Sequence, residues 1–324
     1  MMMKNLISVL SLVSQITFVI STDTPIIGIL SEEPQAINEC VPNVEINTYI
    51  AASYVKLLES AGARIIPVWL GQDQQYYERV VSYTNGMLFP GGSNRFNETK
   101  GYGETAQIIF DIAKRHNDQG VYYPIVGICL GMEVLAYTSN ESKDIRVDCQ
   151  ATKLTLPLEF EEDFRESRIF RDLPNDILLD MKNKNVTYNN HEYCLTREVL
   201  ESNNLTDSWR VVTENVDVNG KRFISLMEHK RYPFYGYQFH PEKIKFEFNE
   251  SFKFPHDVYS GRVTQYFADF SVGECRKNNN SFPDKDIEHR SFIYNFKTVL
   301  SSSNCTYFQL YLFTGADTKE YQLT

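Results

Sequence analysis

The stretch YPIVGICLGMEVLAY, residues 123–137, decides the fold of this chain. Its first residues are apolar like those of a buried strand, the pentapeptide GICLG at 127–131 has the glycines of a sharp turn, and residues 132–137 are typical of a short helix. Glycines are needed at such a turn because a side chain beside the reactive residue would block its approach to a carbonyl. The succession of strand, turn and helix predicts a nucleophile elbow that carries Cys129.

Cys129 is the candidate nucleophile. A helix that begins at Leu130 presents unpaired N–H groups and a partial positive charge, which favour a thiolate and an oxyanion. We therefore expect the thiol pKa to be lowered and the Leu130 N–H to form one half of an oxyanion hole. A G-x-C-x-G pattern alone is equally typical of a buried structural cysteine, so the assignment depends on its partners.

The first partner is His240 in the segment Gln238-Phe239-His240-Pro241-Glu242, which follows the apolar run that starts at Phe234. A histidine at a strand end can accept the thiol proton, and a carboxylate two residues later can fix its tautomer and stabilise the imidazolium. Most lone histidines are structural, but this one follows an elbow cysteine in the order nucleophile then histidine. The pattern predicts His240 as the general base and Glu242 as its supporting carboxylate.

The second partner is a glycine pair at the end of another apolar run, MLFPGGS at residues 87–93. Paired glycines let a backbone N–H approach a ligand closely, so Gly92 is the candidate for the other half of the oxyanion hole. Taken alone, the same residues are typical of an ordinary turn. Together, the three strand ends predict one site.

Around these motifs the first half of the chain alternates between strands and helices, which predicts an α/β fold. Ile26–Leu30, Arg64–Val68 and Gly86–Phe89 are strand candidates, and the helix candidates are the run that includes Ile50 and Ala61, residues 72–82 and residues 104–117. Such a β-α-β-α succession indicates a mostly parallel central sheet flanked by helices, with the site at the carboxyl ends of the strands. After Asp148, shorter strand candidates follow at 154–158, 177–180, 209–213, 223–228 and 234–239.

The elbow, the FPGGS turn and the segment YQFHPEK together resemble class I glutamine amidotransferase-type hydrolases, and most closely the gamma-glutamyl hydrolases of peptidase family C26. The segment YIAASYVKLLESAGARIIP, residues 49–67, also resembles the first helix and second strand of that family. The resemblance runs from about Pro25 into the C-terminal region. Where many relatives have tryptophan before the catalytic histidine, this chain has Phe239.

The resemblance implies an enzyme that hydrolyses poly-gamma-glutamyl folate with no cofactor. It assigns the nucleophile to Cys129, the general acid and base to His240 and the supporting carboxylate to Glu242, and it places His191 near the substrate. Glu133 would lie on the first helical turn, either to orient substrate or simply as a carboxylate favoured by the helix dipole. The resemblance also implies a homodimer, which no sequence feature demonstrates.

The overall charge excludes one class of function and raises a question. The formal net charge is -10 and no block or stripe of lysine and arginine appears, which argues against nucleic-acid binding. Because a polyglutamyl substrate is itself anionic, local basic residues or backbone N–H groups must offset this field at the site. The sequence does not identify them. The remaining histidines lack metal-ligand spacing, so no metal site is assigned.

Residues 1–21 have the pattern of a secretory signal peptide, with one lysine, a short apolar core and small polar residues, although a membrane anchor is the alternative. No later segment is long and apolar enough to span a membrane, so the mature chain should be soluble, with residues 22–324 forming one domain. Secretory routing, either outside the cell or to a lysosome or vacuole, agrees with N-x-S/T triplets at Asn97, Asn140, Asn185, Asn204, Asn249, Asn279 and Asn304.

Proximity in sequence favours a disulfide between Cys275 and Cys305, although connectivity does not follow from sequence.

Three functions fit these motifs. A gamma-glutamyl hydrolase would use Cys129 to attack the γ-carbonyl and water to resolve the thioester. A glutaminase would use the same residues to release ammonia for a synthetase partner. This function suits the chain less well, because the chain has no nucleotide-binding addition and is predicted to be secreted. A non-catalytic binding protein on the same fold would have no reason to keep the cysteine, histidine and glutamate together.

Overall fold

The structure is a computed structural model that describes residues 22–42, 44–320 and 323. The predicted signal peptide at 1–21 lies outside the described residues. Within the described part of the chain, none of the helices combines the length and apolar character needed to cross a membrane.

The chain alternates strands and helices through its first half and is richer in strands after the elbow. The strands are β1 (Ile26–Leu30), β2 (Thr48–Ala51), β3 (Arg64–Val68), β4 (Gly86–Phe89), β5 (Ile125–Ile128), β6 (Val147–Leu156), β7 (Glu159–Phe160), β8 (Thr187–Cys194), β9 (Trp209–Val216), β10 (Arg222–His229), β11 (Phe234–Tyr237), β12 (Thr298–Leu300) and β13 (Gln309–Phe313). The α-helices are α1 (Ala52–Glu59), α2 (Gln74–Tyr83), α3 (Tyr102–Asp118), α4 (Leu130–Ser139), α5 (Asn175–Asn183), α6 (Arg197–Ser202), α7 (Pro241–Phe246), α8 (Val258–Cys275), α9 (Lys285–Ser291) and α10 (Gly315–Glu320).

The central sheet has the strand order β3-β1-β4-β5-β11-β10-β9-β7. The first five strands in this order are parallel to their neighbours, and β11, β10, β9 and β7 pair antiparallel in succession. Strands β1, β4, β5 and β11 are buried along their whole length, as expected for strands covered on both faces. The predicted α/β fold with a mostly parallel sheet is confirmed.

The register of three adjacent strands brings the predicted motifs together. Phe89 of β4 pairs with Gly127 of β5, and Ile128 of β5 pairs with Tyr237 of β11. Because these strands are parallel, their carboxyl ends lie side by side at one edge of the sheet. The glycine pair, the elbow and the histidine segment therefore leave the sheet at the same place.

Two smaller sheets flank this edge. Strands β6 and β8 form an antiparallel arm, and β12, β13 and β2 form a three-stranded antiparallel sheet. A disulfide between Cys149 and Cys194 joins the two strands of the arm, and another between Cys40 and Cys305 joins the N-terminal region to the C-terminal segment.

The predicted Cys275–Cys305 disulfide is wrong. Cys305 is bonded to Cys40, whereas Cys275 is a buried free thiol at the end of α8. Its Sγ lies 2.5 Å from where a Cβ on Gly86 would stand, so Cys275 packs against the start of β4. Proximity in sequence predicted the wrong pair, because the fold brings Cys40, from the N-terminal region, beside Cys305.

Two predicted elements are also corrected. The strand predicted at 177–180 is part of α5, which begins directly after Pro174 and leaves Leu179 mostly exposed. A short apolar run does not distinguish a strand from the inner face of an amphipathic helix. Ile50, counted with the first helix, lies in β2, and α1 begins only at Ala52.

Candidate active site

Cys129 occupies a strained turn between β5 and α4. Its backbone has φ 53° and ψ -110°, which L-residues rarely adopt, and its N–H donates to the Tyr237 carbonyl at 2.6 Å. The flanking glycines have no room for a side chain: a Cβ on Gly127 would lie 2.2 Å from the Gly131 oxygen, and a Cβ on Gly131 would lie 1.9 Å from the Phe89 oxygen. The turn has the geometry of a nucleophile elbow.

His240 is held by Glu242 at the start of α7. Its Nδ1 lies 2.6 Å from Oε1 of Glu242, and both side chains are buried. Burial lowers the pKa of His240, and the nearby Glu242 opposes this effect without cancelling it. The imidazole is therefore neutral at neutral pH, and its Nε2 makes no hydrogen bond to any part of the chain that the structure describes.

Gly91 lies between the cysteine and the histidine. A Cβ at Gly91 would lie 2.8 Å from Cβ of Cys129 and 2.9 Å from Cε1 of His240. The two side chains thus approach the same small space, and only glycine fits between them. The structure brings the predicted nucleophile and base together.

The two predicted oxyanion donors lie at this same place. Leu130 is the first residue of α4, and its N–H acts on the thiol of Cys129, lowering the thiol pKa. The Gly92 N–H makes no hydrogen bond among the described residues, and Gly92 lines the cavity that contains Cys129. Gly92 and Leu130 both line the cavity that contains Cys129.

The pKa of the Cys129 thiol is raised in the structure, whereas the sequence predicted a lowered pKa. Burial raises the pKa of the Cys129 thiol well above its ordinary value, and the carboxylates of Glu133 and Glu242 raise it further. The Leu130 N–H and Lys243 lower it by less. The cysteine therefore rests as a thiol and needs a base, because the helix terminus alone does not offset the loss of water.

Glu133 is part of a buried polar network beside the thiol. Its Oε1 accepts from Nε2 of Gln238 at 3.0 Å, and its Oε2 accepts from Arg146 at 3.2 Å. Nε2 of Gln238 also lies 3.8 Å from Sγ of Cys129. Burial raises the pKa of Glu133, and Arg146 opposes the rise. The network gives Glu133 a more specific environment than that of a carboxylate held only by a helix dipole.

A cavity of about 520 Å³ opens over Cys129. His191, on the arm formed by β6 and β8, lines the cavity together with Asn190 and Tyr193. The Nδ1 of His191 lies 2.9 Å from the Tyr193 carbonyl, and burial lowers the pKa of His191 to about 3. His191 is thus a neutral hydrogen-bonding group in the wall of the cavity.

The cavity contains cations that the sequence did not identify. Arg95, Arg146 and Lys243 all line it. Arg95 is exposed and makes no hydrogen bond or ion pair among the described residues, whereas Arg146 is paired with Glu133 and Asp144 and stacks on Phe96. These positive groups offset the net negative charge where an anion would bind. No group of three or more potential metal ligands occurs in the described part of the chain.

Several residues of the site were not predicted from the sequence. Gln238 stands two residues before His240, and its position at a strand end is the signal in the sequence that points to it. Arg146, Tyr54 and Tyr307 reach the site through the tertiary fold alone.

Comparison with known proteins identifies the class and then the family. Residues 44–255 match the family model described as Glutamine amidotransferase class-I, so the chain belongs to this class. The chain is also 34% identical over 310 residues to gamma-glutamyl hydrolase B of Dictyostelium discoideum, covering 95% of this chain and 87% of the relative. It is 35% identical to gamma-glutamyl hydrolase of Homo sapiens, with 89% of each chain covered, and 32% identical to gamma-glutamyl hydrolase 1 of Arabidopsis thaliana, with 90% and 83% covered. The chain is therefore a member of the gamma-glutamyl hydrolase family.

Proposed function

We propose that this protein is a cysteine hydrolase that cleaves gamma-glutamyl bonds of folate polyglutamates and related gamma-glutamyl peptides through a thioester intermediate. The observation that carries the proposal is the His240–Glu242 pair beside an elbow cysteine in a cavity lined with cations. Family membership supports the substrate class.

In the first half of the reaction, Nε2 of His240 takes the proton of the Cys129 thiol as the sulfur attacks the γ-carbonyl carbon. The carbonyl oxygen becomes an oxyanion that accepts from the N–H groups of Gly92 and Leu130. The C–N bond then breaks, and the imidazolium gives its proton to the leaving amine. Glu242 stabilises the imidazolium during these steps.

In the second half, water attacks the thioester while His240 accepts one of its protons. The C–S bond breaks, and the proton returns to the sulfur. The products are a free γ-carboxylate and the resting thiol.

Glu133 and Arg146 are the residues that we assign to the α-substituents of the attacked glutamate. Arg146 uses three of its five N–H groups on Glu133 and Asp144, which leaves donors for an α-carboxylate. Glu133 accepts from the α-nitrogen, and His191 contacts the substrate from the opposite arm. Arg95, near the cavity mouth, contacts a further carboxylate of the polyglutamyl chain.

We also propose that the enzyme works in the secretory pathway, either outside the cell or in a lysosome or vacuole. The signal-like residues 1–21, the seven N-x-S/T triplets quoted above and the two disulfides support an oxidising route. The homodimer implied by the family resemblance is part of the proposal, and light scattering of the purified protein tests it.

Product analysis by mass spectrometry tests the proposed activity. The enzyme is incubated with a folate pentaglutamate, and separately with free glutamine, at acidic and neutral pH. We expect shortened folates and released glutamate or glutamyl peptides. Ammonia release from glutamine without folate cleavage would establish the glutaminase alternative, and binding of the folate without any product would establish a binding protein.

A further inference from the structure

Tyr307 reaches the active site from a part of the chain that lies beyond the matched class-I region, which ends at residue 255. The segment that carries it is fastened at several points. Cys305 is disulfide-bonded to Cys40, the Ser302 N–H donates to the Cys40 carbonyl at 2.8 Å, and the Asn249 amide donates to the Cys305 carbonyl at 2.8 Å. These contacts fix the backbone on both sides of Asn304.

The hydroxyl of Tyr307 donates to the Gly91 carbonyl at 3.2 Å. The same carbonyl also accepts from the hydroxyl of Tyr54 at 3.1 Å, and the Gly91 N–H donates to Tyr54 at 2.9 Å. Two tyrosines, one on α1 and one on the C-terminal segment, therefore hold the backbone of Gly91 between Cys129 and His240.

The carbonyl of Gly91 and the N–H of Gly92 belong to one planar trans peptide group and point in opposite directions. A constraint on the oxygen therefore fixes the direction of the N–H. We propose that Tyr307 is a positioning residue for hydrolysis, which holds the Gly91 carbonyl so that the Gly92 N–H is aimed at the developing oxyanion. Tyr54 and Tyr307 reach this oxygen from different elements, so Tyr307 adds a second constraint to the one that Tyr54 supplies.

The surroundings of Tyr307 keep its hydroxyl a donor. The residue is 4% exposed, Nζ of Lys243 lies 4.0 Å from its ring centre, and the ring of Tyr49 lies 6.2 Å away. The nearby carboxylates are those of Glu32, Glu242 and Glu247. Burial and these carboxylates raise the pKa of Tyr307, so the hydroxyl stays protonated.

The inference rests on the proposed function, because an oxyanion forms only if Cys129 attacks a carbonyl. The test is Tyr307→Phe, which removes the hydroxyl and keeps the ring. Since loss of a complete oxyanion donor costs about 10²–10³ in kcat, misalignment of one should cost about ten-fold in kcat with KM within about two-fold. A γ-aldehyde analogue of glutamate adds to the thiol to give a thiohemiacetal that mimics the tetrahedral state, and its Ki should rise by the same factor.

Tyr311→Phe is the matched control, because it removes a hydroxyl from the same C-terminal segment outside the cavity and should leave kcat, KM and Ki unchanged. Thermal unfolding of all variants separates positioning from loss of fold. Unchanged kcat in Tyr307→Phe, a loss confined to KM, or a fall in kcat without a rise in the aldehyde Ki would each overturn the proposal. Failure of the proposed function is distinguishable, since the wild-type enzyme would then show neither gamma-glutamyl cleavage nor inhibition by the aldehyde.

Discussion

Nδ1 of His240 and Oε1 of Glu242 lie 2.6 Å apart, and the two side chains are 4% and 0% exposed. The short contact fixes the imidazole with Nε2 directed away from Glu242, so one ring nitrogen is left for proton transfer. Because the pair is buried, its orientation is not lost to competing water. The contact joins two residues at i and i+2, between the end of β11 and the first turn of α7.

Cys129→Ala should abolish hydrolysis and leave the fold intact. The elbow is maintained by its glycines and by the Cys129 backbone, so removal of the sulfur changes few contacts. Loss of a nucleophile typically costs several orders of magnitude in kcat. Cys129→Ser should be almost as inactive, because a serine hydroxyl is a much weaker acid than a thiol and His240 does not remove its proton efficiently.

Steady-state kinetics and circular dichroism of both variants check the assignment. Retention of more than about a tenth of wild-type kcat in Cys129→Ala would place the nucleophile elsewhere.

His240→Ala should be more damaging than Glu242→Gln. The first change removes the proton shuttle, whereas the second keeps the shuttle and loosens its orientation. Equal and negligible losses would contradict this assignment and make His191 the first alternative base.

The acid side of the pH profile should report the lowered pKa of His240. Activity requires the neutral imidazole, so kcat/KM should persist below pH 6.5, the ordinary histidine value, and fall as pH drops through the lowered pKa. Glu242 raises the pKa of His240, so Glu242→Gln should move the acid limb to still lower pH. If the activity of this variant instead fell at a higher pH than that of the wild type, the loss of activity in acid would reflect the titration of another group.

The sequence predicted the α/β fold and the three strand ends that meet at the candidate site, but not the walls of the cavity. The strand, turn and helix around Cys129 and the two other strand ends are local patterns, and parallel pairing of β4, β5 and β11 brings them together. The raised thiol pKa was not predictable, because burial depends on the cavity walls. Those walls include Tyr307 and the arm of β6 and β8, which are far from Cys129 in sequence.

Peptide mapping of the non-reduced protein should identify Cys40–Cys305 and Cys149–Cys194 disulfides, with Cys129 and Cys275 as free thiols. Cys275 is buried outside the cavity, so its alkylation should be slow in the native protein and complete after denaturation, whereas Cys129 lines the cavity and should react first. A peptide that joins Cys275 to Cys305 would contradict the structure. Protein expressed through an oxidising compartment is the appropriate sample.

Arg95→Ala should raise KM for a long polyglutamyl substrate and have little effect on kcat. The side chain lines the cavity without a described partner, so its charge is available to a substrate carboxylate away from the scissile bond. An exposed contact of this kind contributes about 1 kcal/mol or less, which corresponds to a change of up to about five-fold in KM.

The effect of Arg95→Ala should shrink at high salt and with a diglutamyl substrate. Arg171→Ala is the matched control, because it removes an exposed arginine outside the cavity. Equal changes in the two variants would show a general charge effect.

Glu133→Gln and Arg146→Lys should weaken the discrimination between γ-linked and α-linked glutamyl substrates. Arg146 and Glu133 form an ion pair beside Cys129. In the function proposed above, this pair contacts the free α-carboxylate and α-nitrogen of a γ-linked glutamate, so that the γ-carbonyl lies against Cys129. Because a site with buried polar groups rejects a substrate that leaves them unpaired, the wild-type preference can reach about 10⁴.

The measurement is kcat/KM for a γ-glutamyl dipeptide-capped substrate, its α-linked isomer and glutamine. Loss of preference in both variants, with no change in the control Arg171→Ala, would support the assignment. Comparable wild-type rates on the α-linked isomer would contradict gamma-glutamyl specificity, and a wild-type preference for glutamine would favour a glutaminase.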